Sequence, residues 1–517
     1  MKRETDKLLN RWIKALPWIC LVGLFVYLSV FMQLRGDMLT DSDISSEMLL
    51  AEILNGEHAL ISRNWFYSTE LRVLNIQLLY SFFFHFFRDW TMVRTGACVV
   101  SYLLMLVSYY YMMRQMGQEK IYAVSAIFLL LPVSDGYFEY VLLALLYASF
   151  ISISFFAVGM VFHYARASTR MKKAVLAFTV VLAFMTGLGG IRHLVVLYLP
   201  LFAATVLMAL IQRKPSGYLA CSAVGLVASC TGYLVNSCVL AGHYWYETWV
   251  GGMKFRVSVQ GIRDLFFGTL RAFGYSYGDG KPTPIASAFS CVLALVMVVC
   301  VARTVVKKWG ESEPIWLLAV YFTGVYGIFF CMYTFTDMLY SDRYNMAAMV
   351  FAIPLMILNL SEITWNRYVK TGLLVFLGGG ILLSGIFRYA RYGSMDKTAQ
   401  LRPIVTYLVQ EEGACEGYAT FWNGNVLREL SDGAIDVWVW EDDLSTLRDV
   451  DDVLPWLQNA AHQITRPEGR VFVLLTEEEY GVCSFQGALS RKKADYQSED
   501  YLLFLFDSYE ELTEAVR

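Results

Sequence analysis

Acidic side chains follow the first apolar segment of the chain at a spacing that suits general base chemistry. Asp41 and Ser42 stand where a helix would begin, and either side chain can cap it. Asp43 and Glu47 are four residues apart, which places both carboxylates on one face of that helix. A carboxylate held beside an apolar surface can accept the proton of an acceptor hydroxyl or amine. The alternative is an interfacial helix whose acidic groups are solvated and take no part in chemistry.

Two arginines and a group of aromatic residues come next in the sequence. Arg63 and Arg72 flank the run that contains Trp65 and Tyr67. Guanidinium groups bind phosphate through two parallel hydrogen bonds, while aromatic rings can stack on a sugar or lie at a membrane interface. The alternative interpretation is an aromatic belt with arginines that extend toward the lipid head groups.

Further charged residues stand beside apolar segments in the middle of the chain. Asp135 and Glu139 share the segment 134–140, which has no lysine or arginine and is either an acceptor-binding loop or a polar turn. Arg192 and Arg343 each stand at the end of an apolar segment. A charge near hydrocarbon costs up to about 3 kcal/mol at helix-centre depth and is tolerated when it is paired or binds an anion. Both arginines are therefore candidates for a phosphate site, with anionic head groups as the alternative ligand. A later loop adds four basic residues: Lys254, Arg256, Arg263 and Arg271.

The composition indicates that a membrane protein must position these residues. Of the 517 residues, 57% are hydrophobic and 17% are charged, whereas soluble domains have about 25% charged residues. A soluble fold cannot bury that much apolar surface, so a simple cytosolic enzyme is excluded. No concentrated basic face indicates a nucleic-acid partner. Apolar segments long enough to cross a bilayer predict about eleven spans: 15–34, 95–113, 121–133, 141–162, 174–190, 193–211, 218–241, 285–302, 315–333, 345–361 and 371–389.

The charges between these segments give their orientation. Five basic residues precede the first span, which predicts a cytoplasmic N-terminus. Residues 73–87 are apolar too, but this stretch is short and contains polar residues. If it crossed the membrane, the basic loop 163–173 would face outward, against the positive-inside rule. We therefore predict that it lies in the outer leaflet of the cell membrane. The large outer loops are then 35–94 and 242–284.

A polar domain over residues 390–517 is predicted to follow the membrane domain of residues 1–389, on the outer side. It holds 11 basic and 24 acidic residues. Alternating patterns predict a small α/β domain. Helices are expected at 398–410 and 453–462, and strands at 417–422, 434–440, 470–476 and 501–506. Cys415 and Cys483 would be able to form a disulfide if this domain is extracytoplasmic.

The order of these features resembles the GT-C superfamily of polytopic membrane glycosyltransferases, which includes protein O-mannosyltransferases and aminoarabinose transferases. The shared order is a first span, Asp43 after it, the aromatic segment 63–72 and the non-spanning stretch 73–87. Two motifs differ from the family. Residues 45–47 depart from the Asp-Glu-x-x-Tyr-type motif of several members, and residues 71–74 replace a Lys-Pro-Pro-Leu-like segment.

The resemblance implies an α-helical polytopic membrane fold with GT-C-like architecture. It further implies inverting transfer of a sugar from a polyprenyl-phosphate donor to an extracytoplasmic lipid, glycan or protein acceptor. Asp43 would be the base, with Asp41 as the nearby alternate. The implied ligands of the donor phosphate are Arg72, Arg343, Arg192 and Arg63. The implied ligands of the acceptor or sugar are Glu47, Asp135, Glu139, Trp65 and Tyr67.

Two other functions stay open at this stage. A transporter, a flippase or a membrane protein that binds a lipid-linked glycan would use the same outer cavity without chemistry. A membrane-anchored scaffold with a ligand-binding outer domain is the third reading. No cofactor is predicted, and a divalent metal is not assigned because Asp41 and Asp43 lack a third ligand.

Overall fold

The computed structural model of the chain describes residues 2–246, 254–276, 284–441 and 443–516. The helices that precede the C-terminal sheet are α1 Lys2–Arg35, α2 Ser42–Glu57, α3 Gln77–Phe84, α4 Trp90–Gln115, α5 Tyr122–Leu130, α6 Asp135–Tyr137, α7 Leu146–Arg166, α8 Thr169–Gly189, α9 Leu199–Gln212, α10 Gly217–Cys238, α11 Val259–Ala272, α12 Pro284–Lys307, α13 Glu313–Phe335, α14 Asp342–Met349, α15 Ala352–Glu362 and α16 Arg367–Ser394. π-Helical turns at Phe138–Leu143 and Leu194–Tyr198 follow α6 and precede α9.

Within the described residues, nine helices are long and apolar enough to cross a membrane. They include α1, α4, α7, α8 and α10, together with α9 and its preceding turn, α12, α13 and α16. Two bent helix pairs bring the number to eleven if each pair is counted as one span. The chain is therefore a multi-pass membrane protein, and the prediction of about eleven spans is confirmed with two of them broken.

Prolines stand at both breaks. The span expected at 121–133 is the helix Glu119–Leu130, which turns by 99° into Asp135–Leu143. Pro132 lies at this turn, and Pro354 lies just after the 47° bend between α14 and α15. Proline removes an amide donor and clashes with the carbonyl four residues earlier, so a continuous helix is disfavoured at both places.

Residues 73–87 contain α3, which does not cross the membrane. Its eight residues extend about 12 Å, less than half of the about 30 Å that a spanning helix must cover. Gln77 and Tyr80 are buried on its inner side, and α3 packs between α2 and α4. The prediction that this stretch fails to span is confirmed, because its helix is too short and packs against α2 and α4.

The described residues near the C-terminus form a five-stranded sheet with the order β2-β1-β3-β5-β4. Its strands are β1 Glu416–Thr420, β2 Asp436–Trp440, β3 Val471–Thr476, β4 Tyr496–Gln497 and β5 Tyr501–Phe506. The helices around it are α17 Leu401–Thr406, α18 Phe421–Leu430, α19 Glu477–Val482, α20 Gln486–Leu489 and α21 Tyr509–Val516. β1 is parallel to β2 and β3, while β5 is antiparallel to β3 and β4. The prediction of a small α/β domain is confirmed. The four predicted strands correspond to β1, β2, β3 and β5.

The helix predicted over 453–462 is wrong. The Leu454 N–H donates to the carbonyl of Val439 in β2 at 2.8 Å. The side-chain amide of Gln458 accepts the N–H of Val439 and donates to the carbonyl of Val439, each at 3.1 Å. Pro455 cannot donate an amide hydrogen bond, so it favours this extended course further. Residues 453–458 therefore run along the free edge of β2 and satisfy the edge strand, and a short 3-10 turn follows at Ala460–Gln463.

The C-terminal domain is joined to the membrane body through α18, which packs on α2. Arg94 of α4 and Glu429 of α18 form an ion pair in which the side chains are 1% and 4% exposed. The Arg94 Nε lies 2.8 Å from the Glu429 carboxylate, and Thr40 donates to the second oxygen at 3.2 Å. Arg428 also reaches Glu52 of α2 at 2.9 Å. The domain is thus fixed to the helix that carries the acidic residues.

Removing one partner of the buried pair should be more costly than removing both. Glu429→Leu leaves the Arg94 guanidinium buried without compensation, so it should lower the free energy of unfolding by about 3–5 kcal/mol. The double variant Arg94→Met/Glu429→Leu should recover most of that loss. Equilibrium unfolding in detergent measures both. The control is Glu311→Ala at an exposed ion pair, which should cost less than about 1 kcal/mol; equal losses for Glu429→Leu and the control would contradict the assignment.

Candidate functional site

The acidic helix α2 begins shortly after the first span ends. Asp41 caps it, since its carboxylate accepts the backbone N–H of Ile44 at 3.1 Å. This places Asp43 in the first turn and Glu47 one turn further along. Ile44 and Met48 are buried, which fixes the rotation of α2. The two carboxylates are therefore held in set directions by the packing of the helix.

Arg72 is held against α2 from several directions. Its guanidinium forms an ion pair with Glu47 and a hydrogen bond with the Ser68 hydroxyl at 3.0 Å. Its backbone φ is 49°, a left-handed conformation that costs about 1–3 kcal/mol for a residue other than glycine. The Arg72 N–H donates to the Gly189 carbonyl at 3.1 Å, and Gln77 donates to the Arg72 carbonyl at 2.5 Å. These contacts stabilise the strained residue and fix its side chain.

Glu47 lies behind Arg72 and is buried. Burial raises the pKa of the Glu47 carboxyl, while the Arg72 guanidinium lowers it. One carboxylate oxygen bonds Arg72, and the other lacks a hydrogen-bond partner among the described residues. The geometry therefore gives Glu47 a contact with Arg72, and its role toward an acceptor stays a prediction.

Two more arginines converge on a shared tyrosine. Arg192 lies 3.4 Å from the Glu70 carboxylate, 5.3 Å from the ring of Tyr147 and 5.5 Å from the ring of Tyr344. Arg343 lies 5.8 Å from the same Tyr344 ring. Its Nε is buried and has no hydrogen-bond partner in the described part of the chain. Arg192 is therefore already compensated, whereas Arg343 keeps a donor free for an anion.

The carboxylate of Asp43 is influenced by two of these arginines, Arg72 and Arg343. Burial is the largest reason that the pKa of Asp43 is raised above its ordinary value, and the neighbouring Asp41 raises it further. Arg72 and Arg343 act on the same carboxyl and lower its pKa, so both lie within electrostatic range of it. Because Arg192 shares the Tyr344 ring with Arg343 and lines a small cavity with Arg72, the structure brings one predicted base and three predicted phosphate ligands near one another. We call the region around these four residues the vestibule.

Asp135 and Glu139 lie in a helical segment, so the loop predicted over 134–140 is wrong. The Ser134 hydroxyl caps this segment by accepting the N–H of Tyr137 at 3.1 Å. Serine is a favoured cap because its oxygen satisfies an amide that has no partner within the helix. The sequence contained this signal directly before Asp135.

Both acids contact residues from the end of α16 and the segment that follows it. Asp135 lies 3.1 Å from Arg391, and Glu139 lies 4.0 Å from Lys397. The Lys397 ammonium also lies 3.7 Å from Asp41. Local sequence patterns could not identify these basic partners, because the Asp135–Arg391 contact joins residues 256 positions apart. Lys397 thereby links Asp41, at the start of α2, to Glu139.

The aromatic residues predicted to hold a sugar are built into the wall of the site. Trp65 and Tyr67 are buried and line a small cavity beside Arg72. Their contact with a sugar stays a prediction. Arg63 is exposed, and its guanidinium lies 5.9 Å from the ring of Tyr244. The structure therefore places Arg63 on the surface, apart from the contacts that join the other arginines.

A large apolar cavity lies in the membrane body below Arg343. Its volume is about 390 Å³, its wall is almost entirely apolar, and residues of α5, α12, α15 and α16 form most of that wall. Met349 lines the cavity and lies six residues after Arg343 on α14, a rise of about 9 Å along the helix. A hydrocarbon chain in this cavity can therefore extend from a head group near Arg343.

The cysteines and acids give no sign of a metal centre in the parts of the chain with described positions. No group of three or more His, Cys, Asp and Glu side chains is placed there to bind a metal ion. Cys415 and Cys483 are free thiols, so the disulfide considered between them is not formed. A metal therefore stays unassigned.

No protein-family model and no curated protein matches the sequence. Solved structures do match. ArnT from Cupriavidus metallidurans bound to undecaprenyl phosphate aligns with a TM-score of 0.62 and 11% identity over 94% of this chain and 97% of that chain. ArnT in the apo state aligns with a TM-score of 0.54 and 12% identity over the same shares.

An archaeal enzyme gives a similar result. The oligosaccharyltransferase from Archaeoglobus fulgidus, tethered with an acceptor peptide, aligns with a TM-score of 0.52 and 10% identity over 97% of this chain and 75% of that chain. At such identities the likeness concerns the fold. With nine to eleven candidate spans in its described residues and a small C-terminal sheet, the chain has the fold of the GT-C membrane glycosyltransferases.

Proposed function

We propose that this protein is a membrane glycosyltransferase that moves a sugar from a polyprenyl-phosphate donor to an extracytoplasmic acceptor. The observation that carries the proposal is the proximity of Asp43 to Arg72 and Arg343: Arg72 bonds Glu47 one turn further along α2, and the buried Nε of Arg343 has no hydrogen-bond partner in the described residues. A partly buried carboxylate and two guanidinium groups are the parts that such a transfer needs. The fold it shares with ArnT, which was solved with undecaprenyl phosphate bound, supports this class of donor.

The reaction is an inverting displacement. Asp43 accepts the proton of an acceptor hydroxyl or amine while the acceptor atom forms a bond to the anomeric carbon. The bond from that carbon to the phosphate oxygen breaks, and its electron pair passes to the phosphate. Arg72 and Arg343 stabilise the added negative charge, an effect that is strong where water is excluded. Attack from the side opposite to the phosphate inverts the configuration.

Asp43 suits the role of base better than Asp41. The Asp41 carboxylate is engaged by the Ile44 N–H at 3.1 Å and by Lys397 at 3.7 Å. The Asp43 side chain has no hydrogen-bond or ion-pair partner among the residues with described positions. A base must be able to reach the acceptor proton, and Asp43 alone of the two keeps its oxygens free for that contact.

The apolar cavity supports a donor with a lipid chain. A hydrocarbon chain in the cavity of about 390 Å³ would place a phosphate near Arg343, because Met349 of the cavity wall and Arg343 both lie on α14. We place the vestibule outside the cell, since the loops at the opposite ends of the spans are richer in lysine and arginine. Arg35 bonds the Met395 carbonyl at 2.6 Å, so the first and last spans end on this same side.

Asp43→Asn should abolish sugar transfer by the purified protein, because the amide cannot accept the acceptor proton. Asp41→Asn is the matched control, since asparagine also caps helices, and it should retain most of the activity. The substrate pair is identified first by mass spectrometry of lipid-linked sugars and surface glycans from cells with and without the gene. Transfer of sugar by Asp43→Asn at the normal rate would refute the base assignment. Translocation of a lipid-linked glycan without any transfer would favour the transporter alternative.

Arg343→Gln should weaken the binding of undecaprenyl phosphate to the full-length protein by about tenfold or more, because charge-assisted hydrogen bonds are lost. Arg72→Gln should weaken it to a similar degree. The control is Arg63→Gln, whose exposed guanidinium lies over Tyr244. Binding in detergent is measured by titration calorimetry. An effect of Arg63→Gln as large as that of Arg343→Gln would contradict the assigned phosphate site.

The pH dependence of transfer should follow the Asp43 carboxyl. The base acts when deprotonated, so kcat/KM should fall as the pH drops, with its midpoint above the ordinary aspartate pKa of about 3.9 because the Asp43 pKa is raised. Asp41→Asn should move the midpoint to lower pH, since Asp41 raises the pKa. Arg343→Gln should move it to higher pH, since Arg343 lowers the pKa. Shifts in the reverse directions would contradict the assignment.

A further inference from the structure

α11 and the segment before it expose an uncommon combination of side chains. Five apolar side chains are between 41% and 80% exposed: Phe255, Val257, Val259, Ile262 and Phe266. Three basic residues beside them are exposed as well: Lys254, Arg256 and Arg263. Within residues 254–266, the acid Asp264 is only partly exposed and accepts a hydrogen bond from Gln260 at 2.7 Å. We call these eight exposed residues the basic–apolar surface.

The basic–apolar surface lies at the edge of the membrane. The Arg256 N–H donates to the Phe335 carbonyl at 3.0 Å, and the Ser258 N–H donates to the Thr334 carbonyl at 2.7 Å. The rings of Phe255 and Phe335 are stacked with their centroids 6.3 Å apart. Phe335 is the last residue of the spanning helix α13. The surface is therefore at the depth where a span leaves the hydrocarbon and meets the head groups.

Close backbone contacts fix the orientation of α11. A Cβ on Gly261 would lie 1.7 Å from the Tyr333 carbonyl oxygen, and one on Gly268 would lie 1.8 Å from the Tyr340 hydroxyl. The backbone contact at Gly261 requires glycine, and Gly268 lies on the same face, so this face of α11 lies against the membrane body. The opposite, apolar face points away from the body. Fourteen residues extend about 21 Å, so α11 lies on the membrane and does not cross it.

We propose that the basic–apolar surface docks on anionic phospholipid in the leaflet on the side of the C-terminal domain. Its apolar side chains enter the boundary between head groups and acyl chains, as in interfacial amphipathic helices. Its basic side chains bind lipid phosphates. The charge of the surface is complementary to such lipids, because no acidic side chain is fully exposed in the described stretch 254–266.

The docked helix also reaches the candidate site. Arg271, in the last turn of α11, bonds both oxygens of Asp342 at 2.7 and 2.9 Å. Asp342 directly precedes Arg343 on α14. This ion pair therefore connects the docked helix to α14, which carries Arg343. The docking proposal itself needs only a bilayer and goes beyond the proposed sugar transfer.

Lipid binding to the full-length protein tests the charges. The protein in neutral detergent is titrated with phosphatidylglycerol, phosphatidylcholine or undecaprenyl phosphate, and bound lipid is counted by native mass spectrometry. Replacing Lys254, Arg256 and Arg263 together by glutamine should weaken phosphatidylglycerol binding by about fivefold for each charge removed. Binding of phosphatidylcholine should not change.

The matched control replaces the consecutive basic residues 491–493 of the C-terminal domain by glutamine, which removes the same charge away from the spans. This control should leave phosphatidylglycerol binding unchanged. An equal loss in both triple variants, or a loss in neither, overturns the proposal. A loss confined to undecaprenyl phosphate overturns it as well, because the surface would then recruit the donor and not the leaflet.

Depth measurements test the apolar side chains. Val259→Cys, Phe266→Cys and Gln260→Cys are made singly after the exposed native cysteines are replaced by alanine, and each is spin-labelled in nanodiscs. Labels at the first two positions should be more accessible to oxygen and less accessible to a nickel chelate than the label at Gln260. Equal accessibility of the three labels overturns the proposal. Labels that are shielded from both oxygen and the nickel chelate overturn it as well, because such shielding indicates a protein partner. Neither measurement uses sugar transfer, so failure here leaves the proposed enzyme untouched.

Discussion

Compensation of charge at the edge of the membrane is the constraint on which the rest of this structure depends. Guanidinium and carboxylate groups lie beside apolar helices there, and each uncompensated charge in such surroundings is costly. Arg72 pairs with Glu47, and Arg94 pairs with Glu429. The first pair joins α2 to the membrane body, and the second joins the membrane body to α18, which packs on α2. The position of α2 sets the position of Asp43.

The same constraint separates the groups that build the site from those that are free to react. Glu47 and Arg192 have ionic partners within the protein, so their charges are compensated without a ligand. Asp43 keeps its carboxylate oxygens unbonded in the described structure, and the buried Nε of Arg343 is unsatisfied there. A negatively charged lipid phosphate would satisfy Arg343, and an acceptor proton would satisfy Asp43. Under the proposed function, the anionic donor would lie at Arg343 and the acceptor that gives up a proton would lie at Asp43.

The C-terminal domain and α11 extend this arrangement beyond the spans. Arg428 of α18 reaches α2 through Glu52, and Lys397 reaches the cap residue Asp41 from the segment after the last span. On the other side, the Arg271–Asp342 ion pair connects α11 to the helix that carries Arg343. The helices that carry the acid and the arginine of the vestibule are thus contacted by different parts of the chain, one by the polar domain and one by α11.

The sequence by itself determined the elements of this protein. Hydrophobic length set the spans, the charges between them argued that 73–87 stays on one side, and short apolar runs located four strands, because these features depend on neighbouring residues. Pro132 carried a local signal of the helix break, but apolar length outweighed it. Only the tertiary structure decided which charges meet: Arg94 and Glu429 are 335 positions apart, and the segment 453–462 became an edge partner of β2. Ion pairing and burial depend on distance in space, which the spacing of residues along the chain does not contain.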